Sequence, residues 1–160
     1  MNEIIVEPLT AEGFAPFGTV VPPQADPGRT YVDGSLANLR PAAHPSLSMS
    51  ARLEAASLPL TIRQMERHAF SSQTFVPTEP TSVLVVVAPH AADGGPDMAR
   101  ARAFATEGQT GFTFGADVWH HPLTLLEAPG RFAIFMWLDG TTGDEEFVDI
   151  EPMLVTGGTL

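Results

Sequence analysis

Two stretches of this chain carry residues whose types and spacing could do chemistry. In "MERHAFSSQTFVP", residues 65–77, Glu66 and His68 are two apart, so on a strand they share a face. Gln73 follows five residues after His68 and comes within reach if the next strand folds back alongside. A carboxylate and an imidazole converging from one strand can hold a hard divalent cation or work as an acid–base pair. The competing structural reading is a solvated ion-pair face of Arg63, Glu66 and Arg67, with His68 half-buried beside it.

The second stretch is "GFTFGADVWHHPL", residues 111–123. A chain with 5 histidines places two of them side by side behind a tryptophan. Neighbours on a strand point to opposite faces, so only one of His120 and His121 can join a site on a given side. The pattern predicts His120 pointing into the barrel together with the ligand types of the Glu66 strand, with Trp119 and His121 packing or hydrogen-bonding on the other face; the reverse assignment is the alternative. On the structural reading one histidine merely caps a strand edge and Trp119 fills core. Each stretch strengthens the other, because a metal or substrate site needs ligands from separate strands. His44 and His90 sit among prolines and turn residues and read as surface positions.

These residues must be positioned by strands. Apolar runs of four to eight residues recur between turn signals, and long helical periodicity is scarce. The pattern predicts strands near Ile4–Val6, Thr19–Val21, Ser46–Arg52, Thr61–Met65, Gln73–Pro77, Val83–Ala88, Ala101–Ala105, Gly111–Phe114, Val118–Leu126, Phe132–Leu138 and Phe147–Ile150. One short helix is expected near Thr10–Phe17, with Thr10 as its N-cap. "PPQADPG", "APHAADGGPD" and "LDGTTGDEE" are turn chemistry, and the closing "VTGGTL" is expected to fray. Many short strands in 160 residues point to one all-β domain, a sandwich or a small barrel.

Composition narrows the function classes. The formal charge is −11, and the 8 basic residues are all arginines. Nucleic acid and anionic membranes are held by basic patches, so neither is an expected partner. An anionic substrate must instead be gripped by particular arginines or by a metal. With no cysteine, disulfides and thiolate sites are excluded. The opening "MNEIIVEPLT" lacks the features of a signal peptide, and no apolar run reaches membrane-spanning length, so a cytoplasmic protein is expected. Phosphate-binding, dinucleotide-binding, zinc-protease and nucleophile-elbow motifs are missing.

Glycines and aromatics followed by "WHHP", after an upstream strand with spaced ligand types, resemble the second and first motifs of cupin barrels. More closely, "LPLTIRQMERHAFSSQTFVP", "VLVVVA", "RAFATEGQTGFTFGADVWHHPL" and "FAIFMWLDG" resemble the ureidoglycolate lyase family of allantoin breakdown, from about Leu58 to Asp139, with weaker agreement in "EPLTAEGFAPFGTVV". The resemblance implies a single cupin-like β-barrel or jelly-roll domain over residues 1–160, with few short helices. It also implies elimination of urea from (S)-ureidoglycolate to give glyoxylate. Glu66, His68, Gln73 and His120 fall at the cupin metal-ligand positions, and the gap from His68 to Gln73 reproduces that of the first cupin motif. Two departures stand out: Glu66 replaces a histidine, and Gln73 replaces a carboxylate. Nickel is the divalent metal the resemblance suggests, and a homodimer the assembly. Glu66, His68 and His120 are the expected catalytic residues. Arg67, Arg102, Gln73 and Trp119 are the expected substrate contacts, with Arg63 a weaker candidate. Alternation argues against Arg67, which neighbours both Glu66 and His68. The alternatives are an amidohydrolase releasing ammonia from the same substrate, or a non-catalytic cupin module that senses a small acid.

Overall fold

The computed structural model describes residues 2–158. In chain order its elements are β1 (Asn2–Pro8), a one-turn helix α1 (Ala11–Phe14), β2 (Gly18–Val21), β3 (His44–Arg52), β4 (Leu60–His68), β5 (Gln73–Pro77), β6 (Ser82–Ala88), β7 (Arg102–Ala105), β8 (Gly111–Phe114), β9 (Trp119–His120), β10 (Thr124–Glu127), β11 (Gly130–Leu138) and β12 (Glu145–Thr156). Short 3-10 turns lie at Asp33–Ser35 and Met98–Arg100.

The strands form two layers. One sheet runs β10-β6-β7-β1-β12-β4-β9, and β9 also pairs with β6, so six of its strands close into a barrel. The second sheet runs β2-β8-β5-β11-β3 and packs against it. This is the all-β domain expected from the pattern of short strands and the cupin-like barrel implied by the resemblance.

Two apolar cores follow from this layering. Ile4, Val6, Ile62, Met65, Val86, Trp119, Met153 and Val155 fill the closed barrel. Phe14, Phe75, Val85, Val87, Phe104, Phe112 and Phe132 fill the space between the layers. Strand β6 serves both: Leu84, Val86 and Ala88 point into the barrel, while Val83, Val85 and Val87 point between the layers. That two-sided burial is why "VLVVVA" is an unbroken apolar run rather than an alternating one. Full burial of each such side chain contributes about 1.5–3 kcal/mol.

Three local expectations are corrected. The predicted strand Val118–Leu126 divides into β9 and β10, because Pro122 has no N–H to give a ladder. Strand β12 is far longer than Phe147–Ile150. It takes in Val155 and Thr156 of the segment expected to fray, and Val155 is buried in the barrel opposite Ile4. Thr159 and Leu160 of that segment lie outside the described residues. The helix stops at Phe14, before Pro16, although Thr10 caps it as expected, its Oγ1 accepting from Gly13 N at 3.0 Å.

A register irregularity prepares the site. Asp149 pairs with Gln64 and Met153 with Ile62, so Ile150, Glu151 and Pro152 together oppose Arg63. Ile62 and Met65 therefore both enter the barrel despite their odd spacing, and beyond them β4 alternates regularly.

Candidate active site

From Met65 onward β4 presents two different faces. Met65 joins the barrel core, while Glu66 and His68 turn outward to the space between the layers. On β9 the same division holds: Trp119 enters the barrel and His120 leaves it. Glu66 and His120 are direct partners in the β4–β9 pairing, so their side chains share a face. Glu66, His68 and His120 come together, each offering a ligand atom within 4.8 Å of the others. His120 shares a face with Glu66 as expected. The expectation that it points into the barrel is corrected: the bulky apolar Trp119 takes the barrel interior and sends its neighbour to the opposite face.

The opposite layer completes the site. Phe114 of β8 stacks on the His120 ring at 4.0 Å between centroids and 14° between planes. Gln73 of β5 is the register partner of Phe114 and so points the same way. Gln73 lines, with Glu66 and His68, a cavity of about 270 Å³ whose remaining wall includes Met136, Thr142 and Asp144. The Gln73 Nε2 has only the Met136 sulfur, at 3.5 Å, and its Oε1 is buried with no partner.

Protonation follows from the partners. His120 Nδ1 lies 2.9 Å from Val118 O, and a carbonyl only accepts, so Nδ1 carries the proton. Nε2 is buried without a hydrogen-bond partner, 3.2 Å from Glu66 Oε1, and is the nitrogen left to face the carboxylate. Burial pushes Glu66 up, but the His120 contact and the fields of His120, His68 and His121 outweigh it, leaving its pKa below the usual value. Burial, helped by His120, lowers the pKa of His68 against the opposing pull of Glu66, Asp144 and Glu145. Burial likewise lowers that of His121. Metal binding takes the carboxylate ionised and the imidazole deprotonated, and the lowered values of Glu66 and His68 favour that form.

The donor set fits a divalent cation. His120 Nε2 is buried without a partner 3.2 Å from Glu66 Oε1, and Gln73, whose Oε1 is also buried and unpartnered, lines the cavity with Glu66 and His68. A cation at the Glu66, His68 and His120 cluster would satisfy such orphaned atoms, and the His120 Nδ1–H held by a carbonyl is the usual support of a ligating imidazole.

The other expected contacts lie elsewhere. Arg67 is on the opposite face from Glu66 and His68. Its guanidinium sits 4.6 Å from the centre of the Trp119 ring, bonded to Asp117 and Glu146. Arg102 holds Glu7 and the Gly13 carbonyl on β7, with β6 between it and β9. Trp119 is buried in the barrel, its Nε1 donating to Gly94 O. Arg63 is exposed on β4. His121 stands outside the cluster, with Nδ1 donating to Gln64 O at 3.1 Å. His44 and His90 are at the surface as expected, and the His90 Nε2 donates to Asp117 O at 2.7 Å, bracing the turn before β9. Among the described residues no arginine lines the cavity.

Sequence reasoning missed Asp144. It sits in "LDGTTGDEE", which reads as solvent-facing turn, yet it is 4% exposed and forms part of the cavity wall. Nothing in its neighbours marks it; only the docking of that turn onto β4 buries it.

Comparison with known proteins gives the chain its family. A family model described as ureidoglycolate lyase matches residues 1–156. A putative ureidoglycolate lyase of Agrobacterium fabrum is 38% identical over 144 residues, covering 90% of this chain and 88% of that protein. The ureidoglycolate lyase of Pseudomonas syringae pv. syringae is 34% identical over 164 residues, with 97% and 95% covered. That of Brucella melitensis biotype 2 is 37% identical over 142 residues, with 84% and 82% covered. The chain belongs to the ureidoglycolate lyase family, and with it to the lyases.

Proposed function

We propose that this lyase eliminates urea from (S)-ureidoglycolate, leaving glyoxylate, at a divalent-metal centre held by Glu66, His68, Gln73 and His120. The observation that carries the reading is the convergence of Glu66, His68 and His120, with ligand atoms within 4.8 Å of one another, beside a cavity that Glu66 and His68 line, in a chain of this family. Ureidoglycolate is a hemiaminal: one carbon bears a hydroxyl, a carboxylate and the ureido nitrogen. A divalent ion bound at these residues supplies Lewis acidity for the hydroxyl and positive charge for the carboxylate, in a cavity that no arginine lines. Nickel is the first to try, since imidazole and oxygen ligands suit it.

Glu66, ionised at neutral pH, takes the hydroxyl proton and delivers it to the ureido nitrogen. The O–H electrons become the carbonyl of glyoxylate, and the C–N electrons leave on the nitrogen, which departs as an amine of urea. Proton transfer by a positioned group contributes a factor of roughly 10²–10⁴. Phe114 stacked on His120 shields one side of the centre from water and fixes the ring plane.

The reading is tested by giving purified protein racemic ureidoglycolate and following every product. We expect glyoxylate and urea in equal amounts, with one enantiomer left over. Ammonia in place of urea would make the protein an amidohydrolase, and binding without product would make it a sensor.

We place the working form in the cytoplasm as a homodimer. Strand β3 supports the assembly: it is an edge strand with Leu47 71% and Met49 68% exposed, a surface that strand pairing or face-to-face contact would cover. Sedimentation of the purified protein measures its mass directly. No helix of the described residues is long and apolar enough to cross a membrane.

A further inference from the structure

The buried carboxylate of Asp144 takes no part in the proton transfer, yet several contacts fix it in place. Its main-chain O accepts from Ala69 N at 2.9 Å and its Oδ1 from Phe70 N at 2.6 Å, so it is stapled to the two residues that follow His68. The remaining oxygen, Oδ2, is buried without a hydrogen-bond partner, 3.4 Å from His68 Nδ1. The loop that carries it, residues 139–144, begins at Asp139, which forms an ion pair with Arg40 at 2.9 Å. The same guanidinium donates to Trp137 O at 3.1 Å and reaches within 3.9 Å of Asp144 Oδ2. Arg40 is only 12% exposed and comes from a separate part of the chain, ahead of β3. It thus ties both ends of a loop whose Thr141, Thr142 and Asp144 line the cavity.

We propose that Asp144 is a positioning residue for the metal centre, its Oδ2 accepting the Nδ1–H of His68 so that Nε2 is presented as the ligand, with Arg40 holding Asp144 in place. The proposal rests on the metal reading of the site. The two histidines are then oriented by different means: Val118 O takes the Nδ1–H of His120, and a carboxylate takes that of His68. A carboxylate behind a ligating imidazole fixes the tautomer and raises the ligand's basicity. The present 3.4 Å separation is a loose contact of the kind that tightens once a site is filled.

The test measures nickel binding to chelator-treated protein by calorimetry and the tautomer of His68 by nitrogen NMR. In the native protein we expect His68 to carry its proton on Nδ1. Asp144→Asn should weaken nickel binding about 10- to 100-fold, populate the other His68 tautomer and leave His120 unchanged. Arg40→Gln should weaken binding by less, in the same direction. A His68 proton on Nε2 in the native protein would overturn the proposal, and so would native affinity and tautomer in folded Asp144→Asn. If that variant does not fold, the native tautomer and Arg40→Gln still decide. Native protein that binds no nickel or other divalent ion would instead remove the metal reading, while the tautomer would still report on Asp144.

Discussion

The two faces of β4 and β9 are built from neighbouring residues and do different work. On one face Met65 and Trp119 close the barrel interior, dry and apolar. On the other, Glu66, His68 and His120 stand one residue away and collect acceptors that have no internal donor. The strand period of two makes this possible: a single peptide step separates a residue of the barrel core from one of the candidate site. Packing of the barrel core on the other face holds β4 and β9 in place beneath that site.

Substitutions can break this division, beginning with the largest effect. His120→Ala removes a ligand from the reactive face; we expect glyoxylate release to fall about 10²–10⁴-fold while the thermal midpoint stays near that of the native protein. Trp119→Ala, one residue away, should do the reverse by leaving a cavity in the barrel. It should cost about 3–5 kcal/mol of stability in denaturant titration, with its remaining folded fraction still active. Thr10→Ala removes the cap of α1, far from both faces, and should cost about 1 kcal/mol with unchanged kinetics. Smallest of all is Arg102→Ala. Its partly exposed pairing with Glu7 should be worth no more than about 1 kcal/mol, and kcat/KM should stay near native, since its partners are Glu7 and Gly13 rather than the cavity.

Acid should act on the two faces unequally. His68 and His121 have pKa values lowered by burial, so the unfolded chain takes up their protons at higher pH than the folded one does. Their contribution to stability is therefore present above the unfolded histidine value of about 6.5 and is lost as pH falls through the folded values. Glu66, also lowered, adds the same sign further into acid. We expect the unfolding midpoint of the protein to drop on going from pH 7 toward pH 5. Replacing His121 by Gln should flatten that slope.

Much of this was legible in the sequence, for reasons that differ by residue. The cluster was readable because Glu66 and His68 obey the strand period and because two adjacent histidines stand out in a chain with so few. That His120 and Trp119 take opposite faces follows from the same period, but which of them enters the barrel was not readable, since the period does not say which side closes. A barrel was expected, but which strands close it was not legible, since closure depends on the two-residue strand β9 pairing with both β4 and β6. The length of β12 was hidden by Pro152 and by the acidic residues that sit on its exposed side. Arg67 looked like a carboxylate grip only because it lies among ligands; alternation sends it to Trp119 instead. Asp144 was invisible because a turn's composition does not say whether tertiary packing will bury it.

The most direct test is glyoxylate release by one protein sample measured before chelation, after chelation and after nickel is returned. We expect activity to vanish with the metal and to come back with it, placing the reaction at Glu66, His68, Gln73 and His120 as a metal centre. Activity that survives complete chelation would contradict that, leaving Glu66 and His68 to act as acid and base without a metal.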